Sequence, residues 1–202
     1  KSPNVDLEQN IIVTHNILES MRINKIKKII FTSTASVYGD TNKFPTKENT
    51  FIYRQTSLYA ASKLSCESMI TAYSEGYGIN CWIFRLVSNL GKNYSHGHIY
   101  DFTKAYFQEK KKLNILGNGK QNKSYLYVGD CVNALILPLF KKRNKVNILN
   151  LGHPKSLTVK QSLKIILRRL GWSPKLNFEK KKQGWIGDNP KIMLNSNEIK
   201  KI

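Results

Sequence analysis

The chain has 202 residues, 41% of them apolar, and a formal net charge of +20. That apolar share can build a core and argues against disorder, and no run approaches the ~20 apolar residues of a membrane-spanning helix. The cations are mostly Lys, spread along a chain also rich in Asn and Ile, with no RNA-binding signature or helix-turn-helix pattern beside them. The clusters at 110–112, 141–143 and 180–182 fall at expected helix ends or loops, so neither a specific nucleic-acid partner nor a membrane is expected.

In chain order, Leu7, Ile11, Thr14, Leu18 and Met21 recur at helical spacing and predict a helix over 7–22. The polar start, KSPNVDLEQN, does not read as a secretory leader. An apolar strand is predicted over 26–33, a polar Pro-containing loop over 40–56, a helix over 58–77 and a strand over 80–87. Short apolar strands alternating with helices predict βαβ units around a parallel sheet buried on both faces. The second half alternates less evenly: a helix over 98–112, strands over 113–116 and 125–128, and a helix over 131–141 capped by Asp130. A strand over 146–151 follows, then a helix opened by a Thr158–Gln161 capping box and stopped at Gly171, then a strand-like KLNF. Cys66, Cys81 and Cys131 show no Cys-x-x-Cys spacing and are expected as reduced thiols in the cytoplasm.

Two motifs carry chemistry. FTSTASVYGD at 31–40 ends a strand in three adjacent hydroxyls, Thr32, Ser33 and Thr34, and YAASK at 59–63 sets Tyr59 and Lys63 four apart on one helix face. A phenol of pKa ~10 is a poor base at neutral pH, and a nearby ammonium stabilises the phenolate. A hydroxyl such as that of Thr34 then holds the substrate oxygen that exchanges the proton. Such a site suits an alcohol whose carbon loses a hydride, which implies a nicotinamide cofactor. His96 and His98 have the His-x-His spacing of a metal pair, but no further Cys or His stands near them. A pocket-lining loop is expected there and no metal. Tyr125 and Tyr127 alternate along a strand as core or pocket wall, and Asp188 is expected to fix a loop.

With these motifs on the page, the chain resembles the extended short-chain dehydrogenases acting on nucleotide sugars, nearest to the UDP-glucose 4-epimerases. The resemblance runs through NIIVTHNILESM, IIFTSTASVYGD, SLYAASKLSCE, FRLVSNLG, SHGHIYDF, LGNGKQNKSYLYVGDCVNA, NLG and GWIGDNP. It implies an α/β fold: a partial Rossmann-type parallel sheet with a smaller C-terminal substrate domain. Residues 1–91 would be the second part of the NAD-binding domain. Residues 92–202 would mainly bind the nucleotide sugar, with some segments returning to the first domain.

The resemblance also implies catalytic roles for Thr34, Tyr59 and Lys63. NAD contacts are implied for Asn10, Thr32, Ser33, Tyr59, Lys63 and Arg85, and substrate contacts for Thr34, Ser36, Ser88, Asn89, Lys123 and Asp188. Sugar dehydratases of this group carry Asp-Glu after their Thr, and the decarboxylases Glu before Val-Tyr-Gly. Ala35 and Ser36 stand there instead, which leaves oxidation and re-reduction at one carbon, that is epimerisation of a UDP-sugar. The alternatives are another nucleotide-sugar reductase or decarboxylase of the same superfamily, or a non-catalytic remnant. Departures are Asn89, one place late, and Lys123 and Gln183, where relatives carry Arg. None of the twelve glycines forms a strand–turn–helix dinucleotide motif. The resemblance is therefore to an epimerase lacking its first segment, expected to hold NAD weakly alone and to be a homodimer in full-length form.

Overall fold

The computed structural model describes residues 3–52, 54–140, 144–182, 184 and 187–202. A helical run opens it: α1 (Pro3–Asp6), a π-helical stretch over Leu7–Ile12, and α2 (Val13–Ile23). Thr14, Leu18 and Met21 are its buried residues, at helical spacing. β1 (Lys28–Thr34), a 3-10 turn over Ala35–Tyr38, α3 (Leu58–Tyr77), β2 (Asn80–Leu86) and β3 (Ser88–Leu90) follow. Beyond them come α4 (His98–Phe107), β4 (Lys112–Ile115), β5 (Asn122–Tyr127), α5 (Val128–Ile136) and β6 (Val146–Leu151). β7 (Ser156–Thr158), α6 (Val159–Leu170), β8 (Lys175–Phe178) and β9 (Lys191–Ile192) complete the set.

β1, β2 and β6 form a parallel sheet in the order β1-β2-β6, with Ser33 opposite Arg85 and Phe84 opposite Leu149. α3 is the crossover from β1 to β2, and β6 returns from the second half of the chain to this sheet. One face packs Leu18 and Ile70 of α2 and α3 against Cys81 and Ile83. The other packs Trp82, Phe84, Leu149 and Leu151 against Cys131 of α5. Burial on both faces is why these strands read as continuous apolar runs. Elsewhere β5 pairs with β3, β7 and β9, and β4 pairs with β8. A separate cluster of Phe102, Ala105, Leu113, Ile115, Val159 and Leu163 binds α4, β4 and α6 together. The α/β class and parallel sheet are those predicted, and the three cysteines are free and buried.

Several boundaries differ from the sequence expectation, among them the start of β5, at Asn122 rather than 125. α4 stops at Phe107 rather than near 112, because Glu109 takes a left-handed φ of 51° and turns the chain toward β4. α5 opens at Val128, so Asp130 lies inside the first turn rather than at the cap. An acid there still meets the positive end of the helix dipole. The Lys-Lys-Arg cluster at 141–143 and Gln183 lie outside the described residues.

Candidate active site

The site is built where the end of β1 meets the start of α3. Ser57 caps α3 by accepting from the Ala60 amide at 3.2 Å, and Gly78 ends the helix in a left-handed conformation at φ 66°. That cap sets Tyr59 in the first turn, with Lys63 one turn on along the same face. Thr34 ends β1 extended, and its Oγ1 accepts from the Ser36 amide at 3.2 Å. A hydroxyl has a single proton to give, and with the Ser36 amide on its oxygen the Thr34 hydroxyl keeps that proton for Tyr59, whose pKa it works to lower. Gly39 makes the turn that follows: its φ is 61°, and a Cβ there would meet the Arg54 carbonyl oxygen at 2.0 Å.

Lys63 Nζ donates to the Thr32 carbonyl at 3.1 Å and lies 4.8 Å from the centroid of the Phe31 ring. One of its three donors is used in this way. Desolvation by surrounding atoms shifts both groups away from charge: it raises the Tyr59 pKa, against the opposing Thr34 hydroxyl and although Tyr59 keeps 43% of its surface exposed, and it lowers that of Lys63. This departs from the sequence expectation that the Lys63 cation lowers the Tyr59 pKa. As arranged here the pair favours neutral phenol.

The other expected residues divide into those gathered at this rim and those drawn elsewhere. Asn10, within the π-helical stretch, donates through Nδ2 to Ser62 Oγ at 2.9 Å, and Ser62 in turn donates to the Tyr59 carbonyl at 2.9 Å. Asn10 is thus tied to the back of the first turn of α3. Thr32 is exposed beside Lys63, and Ser36 is half-buried in the turn after Thr34. Ser33 and Arg85, expected at the cofactor, instead close on Glu67 of α3. Ser33 Oγ donates to Glu67 Oε1 at 2.5 Å, and Arg85 donates to the same carboxylate through Nε at 3.1 Å and Nη2 at 2.7 Å. Arg85 Nη1 also donates to the Glu48 carbonyl at 3.2 Å. Burial opposes the Arg85 charge, but the hydrogen bonds and attraction of Glu67 outweigh it and raise the pKa.

On β3 the pleat decides. Ser88 is exposed opposite Tyr125, whereas Asn89 faces the other way, toward Cys131 of α5, and leaves its Oδ1 buried without a partner. Asn89 is therefore turned from the face that Ser88 shares, a correction to its expected substrate contact. Lys123 is paired with Asp188 at 2.7 Å and donates to the Asn189 carbonyl. Asp188 also accepts from the Gly184 amide at 3.1 Å, the loop-fixing role expected of it. With its cation held by Asp188, Lys123 does not present a free charge to a phosphate. His96 stacks beside Tyr94 at 5.4 Å. His98 Nε2 lies 2.8 Å from Ser162 Oγ and 3.3 Å from the Tyr125 hydroxyl. Burial, helped by Lys123, lowers the His98 pKa, and burial, helped by Tyr94, raises that of Tyr125.

Residues 1–152 match the profile of the NAD dependent epimerase/dehydratase family. The chain belongs to that family. It is 30% identical over 185 residues to the UDP-glucuronate 4-epimerase of Thermodesulfobacterium geofontis, covering 89% of this chain and 56% of the relative. It is 31% identical over 156 residues to the dTDP-D-glucose 4,6-dehydratase of Dictyostelium discoideum, covering 72% of this chain and 36% of the relative. A solved UDP-glucose 4-epimerase from Thermotoga maritima, with UDP-glucose, superposes with a TM-score of 0.86 at 28% identity, over 99% of this chain and 64% of that one. The match spans little more than half of the first of these curated relatives and about a third of the second.

Sequence reasoning missed Glu67, Ser62 and the partnership of His98 with Ser162. For Glu67 a signal existed: it continues the Tyr59–Lys63 face one further turn, an acid on a side that packs against the sheet. The other two depend on contacts between distant segments and leave no local pattern.

Proposed function

We propose that this segment carries the catalytic side chains of an NAD-dependent nucleotide-sugar 4-epimerase that interconverts UDP-glucose and UDP-galactose. The observation that carries the reading is the convergence of Thr34, Tyr59 and Lys63 at the end of β1, with Ala35 and Ser36 at the next two positions. Ala35 is 5% exposed and packed against Val37, Val87 and Leu194, so a carboxylic acid has no place there. Elimination of water needs an extra acid and base, and epimerisation does not.

In this reading Tyr59 takes the proton from the sugar 4-hydroxyl and returns it after the 4-keto sugar has turned over. Thr34, fixed by the Ser36 amide, orients that hydroxyl. Lys63 supplies the positive charge that favours phenolate when the sugar is bound and water is excluded. The donor set fits the ribose end of NAD: Lys63 Nζ sits at the Thr32 carbonyl, with Tyr59 one turn back on the same helix face, and NAD when bound supplies a hydride acceptor. Ser36 and Ser88 line the sugar side. Residues 1–91 with β6 then serve the cofactor, and most of 92–202 serves the nucleotide sugar. Val13 and Ile17, exposed one turn apart on α2, offer apolar surface to a second copy, giving a homodimer that works in the cytoplasm.

The test uses a polypeptide joining this segment to a dinucleotide-binding first portion. Tyr59→Phe lowers interconversion of UDP-glucose and UDP-galactose by about 10²–10⁴-fold, the range for losing a general base, and Thr34→Val lowers it less. Near-normal turnover by Tyr59→Phe counts against the mechanism. Release of water or carbon dioxide from a nucleotide sugar points to a dehydratase or decarboxylase instead.

A further inference from the structure

Tyr59, Lys63 and Glu67 stand at successive turns of one face of α3. Each engages one of three consecutive residues at the end of β1. Tyr59 meets the Thr34 hydroxyl, Lys63 the Thr32 carbonyl and Glu67 the Ser33 hydroxyl. Side chains alternate along a strand, so Ser33 points to the face opposite from its neighbours and is the one side chain of the three that can be gripped from within the core. Ser33 is 4% exposed and Glu67 3%. The carboxylate is itself immobilised from β2, where Arg85, the ladder partner of Ser33, holds it through two guanidinium nitrogens.

We propose that Glu67 is a positioning residue, which through Ser33 fixes the end of β1 so that the Thr34 hydroxyl and Thr32 carbonyl meet Tyr59 and Lys63. The inference rests on the proposed reading only in taking Tyr59 and Lys63 as the reactive groups. Neutralising the Arg85 charge requires the carboxylate but not Ser33. The hydroxyl adds a tether between helix and strand at the one residue between the two that touch the reactive groups. A strand end free to rotate or slide would carry the Thr34 hydroxyl away from Tyr59 and the Thr32 carbonyl away from Lys63, whereas the core around Cys81 and Ile83 would be unaffected.

The test is read without turnover, on the 202-residue chain with Cζ-labelled tyrosine, by following the Tyr59 resonance against pH. Ser33→Ala leaves the Glu67–Arg85 pair in place. Glu67→Asp keeps the charge but draws the carboxylate back by one methylene. Both are expected to shift the Tyr59 titration upward, as is Thr34→Ala, because the nearby Thr34 hydroxyl is what opposes the rise caused by desolvation. In the Thr34→Ala background neither is expected to add a further shift. The proposal is overturned if Thr34→Ala moves Tyr59 while Ser33→Ala and Glu67→Asp do not, or if the shifts simply add in the double variants. Loss of folding in Ser33→Ala also overturns it, because the hydroxyl is then a prop of the whole sheet. Should Thr34→Ala itself leave Tyr59 unmoved, it is the Tyr59–Thr34 pairing of the proposed site that fails.

Discussion

Replacing Arg85 by Met probes the buried polar network under the site. The side chains of Arg85 and Glu67 are 5% and 4% exposed, so the substitution leaves a carboxylate in the core with Ser33 as its remaining partner. Lost with the guanidinium are its hydrogen bonds to Glu67, the bond to the Glu48 carbonyl and its stacking 4.7 Å over the Tyr38 ring. Breaking a buried pair from one side costs about 3–5 kcal/mol. At ~2–4 °C per kcal/mol for a chain of this size, that lowers Tm by roughly 6–20 °C. Arg85→Met combined with Glu67→Leu removes both charges. The double variant is expected to recover most of the loss, keeping a deficit of about 1–2 kcal/mol for the stranded Ser33 and Glu48 groups. Urea unfolding followed by the fluorescence of Trp82, 3% exposed in β2, reads all three. A loss under about 1 kcal/mol in the single variant, or a double variant no more stable than the single, refutes the reasoning.

Three further outcomes are expected. Thr158→Ala removes a complete capping box, with the Gln161 amide at 3.1 Å and the Gln161 side chain reaching back to the Thr158 amide at 2.8 Å. It costs about 1 kcal/mol by denaturant titration. The Glu19 carboxyl, hydrogen-bonded by Arg22 and Tyr73, titrates at about 2 instead of 4.5. Because the folded pKa is depressed, its contribution to stability is complete above 4.5 and is lost as pH falls through about 2. Carboxyl resonances in low and high salt check this, and Arg22→Ala moves the titration back up. Binding to duplex DNA, driven by the diffuse Lys charge, falls steeply with salt and shows no preference among sequences, as retardation assays across a salt series would report.

Where local rules act alone, the sequence was legible. Ser57 and Gly78 mark both ends of α3, so its span of 58–77 is readable to the residue. The Thr158–Gln161 box likewise announces α6, and the apolar runs announce β1, β2 and β6. The end of α4 was not legible, since the chain turns at Glu109 with no Gly or Pro to mark it. Nor was the π-helical stretch that carries Asn10, a feature set by packing against α3 rather than by propensity.

The site shows the same division. Tyr59 and Lys63 are four apart on one helix, and Thr34 ends the nearest strand, so their meeting follows from local spacing and a parallel crossover. The partners of Ser33, Arg85 and Lys123 lie 34, 18 and 65 residues away. Pairing over such distances is decided by the sheet register and by which side of the pleat each residue occupies. That is why charge-bearing positions expected at the cofactor and phosphates are found closing ion pairs.

The central claim is oxidation and re-reduction at one carbon of a nucleotide sugar, governed by Tyr59. It is tested most directly by supplying UDP-galactose deuterated at C4 to a polypeptide that joins this segment to a dinucleotide-binding portion. The account predicts UDP-glucose carrying the deuterium at C4, formed about 10²–10⁴-fold more slowly by Tyr59→Phe. Product with solvent hydrogen at C4, or a product that has lost water, would contradict it.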